Sequence, residues 1–122
     1  MIGIVIVAHG GLAAEYKATL QHVVGQLDNV EAIGIKAECD RSAKTEQIRT
    51  AVAAVDTGSG VVIVTDMFGG SPANLSLPAC SSHEHRVLYG ANLPMLLSLA
   101  KCRAKPIDKA IDKAVNLSLI HI

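Results

Sequence analysis

Apolar and polar positions follow two different periods along the chain, and the points where one gives way to the other mark its elements. Ile2 to Ala8 is a continuous, largely β-branched apolar run ended by His9-Gly10-Gly11, the pattern of a strand buried on both faces. From Leu12 the apolar positions become Tyr16, Leu20, Val23, Val24 and Leu27, a helical stripe that stops between Gly25 and Asn29. Val30 to Ala37 (VEAIGIKA) alternates more and predicts a second strand nearer a sheet edge. Ile48, Ala51, Val52 and Val55 mark a second helix, with Asp40 and Ser42 available to cap its start and Gly58 and Gly60 placed to end it. Val61 to Thr65 (VVIVT) is the clearest strand, followed at once by Asp66 and the turn Met67-Phe68-Gly69-Gly70. Ser71 then reads as an N-cap with Pro72 at the first helical position, and Pro78 should break that helix early because its ring opposes the carbonyl of Asn74.

Arg86 to Tyr89 predicts a short fourth strand, and Asn92 with Pro94 opens a helix carrying Leu96, Leu97, Leu99 and Ala100. Pro106 starts a last helix whose buried face is Ile107, Ala110, Ile111, Ala114 and Val115. Strands alternating with helices over short connections predict an α/β three-layer sandwich: a doubly wound, mainly parallel sheet of order 2-1-3-4 with helices on both faces. Leu117 to Ile122 (LSLIHI) abandons the helical period and matches what a common transposon-end adapter encodes in one frame. The expected domain is therefore residues 1–116, with 117–122 a non-native tail, and no function is drawn from His121.

Composition narrows the picture. A chain of 122 residues, 50% hydrophobic and 18% charged, fits one domain that can build its own core. With only 2% aromatic residues, that core must be made of Val, Ile, Leu and Ala, which suits parallel strands under Ala-rich helices. Eleven basic residues balance eleven acidic ones without a basic cluster beside aromatics, so nucleic acid is not an expected partner. Cys39, Cys80 and Cys102 are odd in number and lack C-x-x-C spacing, the signature of reduced thiols in the cytoplasm. The apolar opening has no basic n-region and reads as a core strand, and no later run is long enough to span a bilayer.

Open parallel sheets bind ligands at the carboxyl ends of their strands, above all where neighbouring strands send their helices to opposite faces. His9-Gly10-Gly11, Cys39-Asp40, Asp66 to Ser71 and Gly90-Ala91-Asn92 all fall at such ends. In the order 2-1-3-4 the switch lies between strands one and three, with His9 and Asp66 on its two sides. A carboxylate that accepts one ring N–H fixes the tautomer and leaves the other nitrogen free to attack. The pairs Gly10-Gly11 and Gly69-Gly70 let backbone N–H groups approach an anion, and helices starting near Leu12 and Ser71 aim their positive ends there. That environment favours a transferred phosphoryl group. Each signal taken singly has a plainer reading: a solvated loop histidine, a helix-entry aspartate, ordinary glycine turns. Their convergence on one crevice is what gives them weight. No second His or Cys has metal-ligand spacing with His9, no G-x-G-x-x-G follows the first strand, and no Walker A sequence is present, so neither metal nor nucleotide cofactor is expected.

Three motifs in order, IVIVAHGGLA, TDMFGGSPANL and YGANLPMLLSL, resemble the EIIA component of the mannose family of the bacterial sugar phosphotransferase system, from Met1 to about Asn116. The resemblance implies that His9 accepts a phosphoryl group from phospho-HPr on Nε2 and passes it to an EIIB partner, with Asp66 orienting the ring through Nδ1. It implies that Gly69, Gly70 and Ser71 line the phosphoryl site, while Asn92, Pro94 and Met95 flank it and shape the docking surface. His22, His83 and His85 match no functional position and are expected to be solvated or partly buried surface groups. Membrane contact would be indirect, through EIIC and EIID, and a homodimer is possible in such a family. A regulatory module whose His9 phosphorylation state controls partners without sugar transport is the alternative. The phosphotransferase subunit of dihydroxyacetone kinase fits less well, because DMFGGSPAN belongs to the mannose-type pattern.

Overall fold

In the computed structural model, which describes residues 1–67, 70–80 and 84–118, the first apolar run becomes the central strand β1 (Gly3–His9). Its residues are buried up to the terminal, exposed His9. It is followed by α1 (Leu12–Val24), β2 (Val30–Ile35), α2 (Arg41–Val55) and β3 (Val61–Thr65). Then come α3 (Ser71–Ser76) with one 3₁₀ turn (Leu77–Ala79), β4 (His85–Leu88), α4 (Leu93–Lys101) and α5 (Ile107–Ser118). All neighbouring strands run parallel in the order β2-β1-β3-β4, the expected doubly wound α/β sheet.

Alternation along β1 divides the core into two layers. Ile4, Ile6 and Ala8 pack with Leu20 of α1, Leu96 and Leu99 of α4, and Ala110 and Ala114 of α5. Val5 and Val7 face the other way, onto Ile48 and Val52 of α2 and Leu75 of α3. Gly3 is small because α2 ends on it: a Cβ there would stand 2.4 Å from the Val55 carbonyl oxygen. Since α1 leaves β1 toward one face and α3 leaves β3 toward the other, the adjacent ends of β1 and β3 form the switch-point crevice.

The local signals held with small shifts. Asp40 caps α2 by accepting from the Ala43 N–H, and Asn92 caps α4 by accepting from Met95. Pro78 ends α3 as an α-helix after six residues, leaving the 3₁₀ turn. Ser71 is not the cap of α3: Gly70 holds that position, no side chain caps the helix, and Ser71 is its first residue. Of the two outer strands, β2 begins at the expected Val30 but stops at Ile35, and β4 is shifted by one residue, to His85–Leu88. Val23 and Val115 lie at the margins of their apolar stripes and are exposed rather than buried. α5 runs through Ser118, two residues past the expected domain end. His83 and residues 119–122, His121 among them, lie outside the described residues. No helix among the described residues is long and apolar enough to cross a membrane.

Candidate functional site

His9 is the last residue of β1 and Asp66 the first after β3, so the pairing of these strands brings together two residues 57 apart in sequence. His9 Nδ1 lies 2.7 Å from Asp66 Oδ2, and the His9 backbone N–H donates to the same oxygen at 3.0 Å. An ionised carboxylate only accepts, so Nδ1 carries the hydrogen and Nε2 keeps its lone pair. The imidazole is 49% exposed whereas the Asp66 side chain is 13% exposed: the ring meets solvent and its orienting group stands behind it.

Burial pushes the Asp66 carboxyl upward, but donation from the His9 backbone, the His9 ring and its own amide outweighs burial and holds it below the usual carboxylate value. Its other oxygen, Oδ1, is buried and accepts nothing among the described residues. The lowered carboxyl stands ionised directly behind the ring, suited to a ring that becomes cationic when Nε2 forms a bond.

Gly10 takes φ +57, the left-handed turn that glycine adopts without strain, and its N–H donates to Ile35 O at 2.9 Å. Gly70 borders the other side of the ring: a Cβ there would stand 3.0 Å from His9 Cε1 and 3.5 Å from Nε2. Ser71 lines a cleft of about 500 Å³ together with His9 and Gly10. Of the sites expected from sequence, His9, Asp66, Gly10, Gly70 and Ser71 therefore converge, while Gly69 lies outside the described residues. Asn92 acts as a helix cap and Met95 is buried in the core; neither lines this cleft.

The remaining cleft walls come from the β2–α2 connection: Ile35, Lys36, Ala37, Cys39 and Arg41. Cys39-Asp40 was visible in sequence as a strand-end cluster, whereas Lys36 and Arg41 carried no local signal and are placed by the register His9↔Ile35. His85 also departs from expectation. Its side chain is only 3% exposed and Nε2 lies 3.1 Å from Asp56 Oδ2. This second His–Asp pair sits at the opposite end of the sheet from His9. A hollow of about 560 Å³ at that end is lined by Met1, Asp28, Lys101 and Arg103. Arg103 is a structural group there, donating to the carbonyls of Ile2 and Asn29.

Fold and site together define a parallel α/β protein that presents a half-exposed, carboxylate-oriented histidine at its switch point. The profile of the family described as "PTS system fructose IIA component" (EIIA-man) matches residues 3–116, and the chain belongs to that family. It is a mannose-type EIIA of the sugar phosphotransferase system. It is 31% identical over 119 residues to the PTS system mannose-specific EIIAB component of Escherichia coli K12, covering 97% of this chain and 36% of that protein. The chain thus spans about a third of the length of that relative. The PTS system sorbose-specific EIIA component of Lacticaseibacillus casei is 30% identical over 80% of this chain and 70% of its own length. Among solved structures, the phosphotransferase system component EIIA from Streptococcus agalactiae superposes with TM-score 0.80 at 25% identity, over 99% of this chain and 97% of that one.

Proposed function

We propose that His9 is a phosphoryl carrier: it accepts a phosphoryl group from phospho-HPr on Nε2 and delivers it to an EIIB partner in the cytoplasm. The observation that carries this reading is the 2.7 Å bond between His9 Nδ1 and Asp66 Oδ2 combined with a ring that is 49% exposed. A deep pocket would suit a small-molecule substrate, whereas protein donors and acceptors need a histidine they can reach. In the forward step the Nε2 lone pair attacks phosphorus, the donor N–P bond breaks, and its electron pair returns to the donor nitrogen. Nδ1 keeps its hydrogen throughout, so the imidazole becomes cationic and Asp66 faces the new charge at hydrogen-bond distance. Ser71, the first residue of α3, lines the cleft with His9, where a backbone N–H of a helix start would suit a phosphoryl oxygen.

Specificity for a sugar would reside in the membrane subunits EIIC and EIID, which this chain would meet only through EIIB. The test is incubation with phosphoenolpyruvate, enzyme I and HPr. Acid-labile, alkali-stable label should appear on the wild-type chain and be lost in His9→Ala; label that persists in the variant contradicts the assignment.

A further inference from the structure

We propose that Arg41, assisted by Lys36, is this chain's own cationic clamp for the phosphoryl group on His9, a role that rests on the phosphoryl-carrier reading above. Among the described residues that wall the cleft beside His9, Lys36 and Arg41 are the charged side chains, both cationic. Both are exposed, and neither makes an ion pair or a side-chain hydrogen bond among the described residues. They are two cations on the rim of the cleft that His9 also lines.

Their position is built rather than incidental. β2 is fastened to the histidine turn by the Gly10 N–H bond to Ile35 O, and Gly34 lets the two backbones approach: a Cβ at Gly34 would stand 2.3 Å from Gly10 O. Lys36 is the first residue after β2. From there Cys39 N–H donates to Lys36 O, the Cys39 side chain packs against the α2-side core, and Asp40 caps α2. The connection is therefore short and pinned at three points, and it delivers Arg41 to the rim of the cleft. Arg41 is also the first residue of α2, whose first turn contains no acidic side chain. A cation there opposes the helix dipole and costs the helix stability. The helix start, already capped by Asp40, gains nothing from a cation at Arg41, whereas an anion in the adjacent cleft would.

When Nε2 attacks, charge spreads over the three equatorial phosphoryl oxygens. Arg41 offers a planar pair of N–H donors to two of them, and Lys36 a point charge to the third. No proton moves to or from either side chain, and the bonds made and broken are those of the carrier step itself.

Two donors separate contact with the phosphoryl group from contact with a protein partner: phospho-HPr, and phosphoramidate, which carries only the phosphoryl group. Arg41→Ala should slow loading of His9 from both donors about 10-fold, Arg41→Ala with Lys36→Ala further, and Arg41→Lys should recover part of the loss. Lys44→Ala, a charge removed from the same helix outside this cleft, should load at the wild-type rate. Thermal midpoints of the Arg41 variants should equal or exceed wild type, since the helix loses an unfavourable charge; a residue needed only for structure would lower them. If the double variant loads from phosphoramidate at the wild-type rate, the clamp is wrong, even where loading from phospho-HPr is slowed. If the wild-type chain takes no label on His9 from phospho-HPr, the carrier reading falls and the clamp falls with it.

Discussion

Gly70 stands against the imidazole of His9 so closely that a single methyl group at position 70 would press on Cε1 at 3.0 Å. The backbone of Gly70 is extended (φ −84, ψ 173), a conformation any residue adopts, so this glycine is required by proximity rather than by its torsion angles. Gly70→Ala should leave the fold intact and displace the ring by a few tenths of an ångström, lengthening its bond to Asp66. Loading of His9 should fall about 10-fold, measured as the rate of label uptake from phospho-HPr, with the circular dichroism spectrum unchanged.

Asp66→Asn keeps an oxygen for the His9 N–H groups but removes the charge behind the ring. Transfer should slow by about 10-fold or more in both directions, because the cationic imidazole loses its counter-charge. Stability should also change with pH. The folded pKa of Asp66 is depressed, so its contribution is fully present above the ordinary value of 3.8 and is lost as pH falls through the lower folded value. Unfolding curves of wild type and Asp66→Asn should therefore differ at neutral pH and draw together in acid; a constant difference would show that the ion contributes nothing.

The His85–Asp56 pair should behave in the opposite functional sense. The Gly58 N–H and the His85 ring lower the Asp56 pKa, so its stabilisation is likewise present above 3.8 and lost as pH falls through the folded value. Asp56→Ala removes the partner of a buried ring and should cost about 1 kcal/mol, read from urea unfolding at neutral pH. Phosphoryl loading should stay at the wild-type rate, since the pair lies at the far end of the sheet. A loss of loading at constant stability would place Asp56 in the mechanism.

We propose that residues 117–122 add nothing to the domain. Leu117 is half exposed and the family match ends at 116. Deleting 117–122 should leave both the thermal midpoint and the loading rate unchanged; a lower midpoint would show that the end of α5 contributes to the fold.

The parts of this protein legible in its sequence are those encoded by neighbouring residues. The runs Ile2–Ala8 and Val61–Thr65 declare buried parallel strands, and the strand-end rule puts His9 and Asp66 on either side of one crevice. Asp40 and Asn92 were readable as caps because a cap acts within three residues. Ser71 was assigned one position too early because Gly70 can also hold an extended cap, and a dipeptide does not say which residue turns first. The burial of His85 depends on Asp56, 29 residues away, and periodicity carries no information about such a pair. Lys36 and Arg41 were missed for the same reason: their nearness to His9 follows from strand register and from a hydrogen bond at Gly10, neither of which leaves a mark on their own segment.

In the proposed carrier, Asp66 reserves Nδ1 of His9 and leaves Nε2 to take the phosphoryl group. Nitrogen–phosphorus coupling in the nuclear magnetic resonance spectrum of the ¹⁵N-labelled, phosphorylated chain reads this directly. A single phosphohistidine, linked through Nε2 of His9, is the expected result; phosphorus on Nδ1, or on any other histidine, would contradict it.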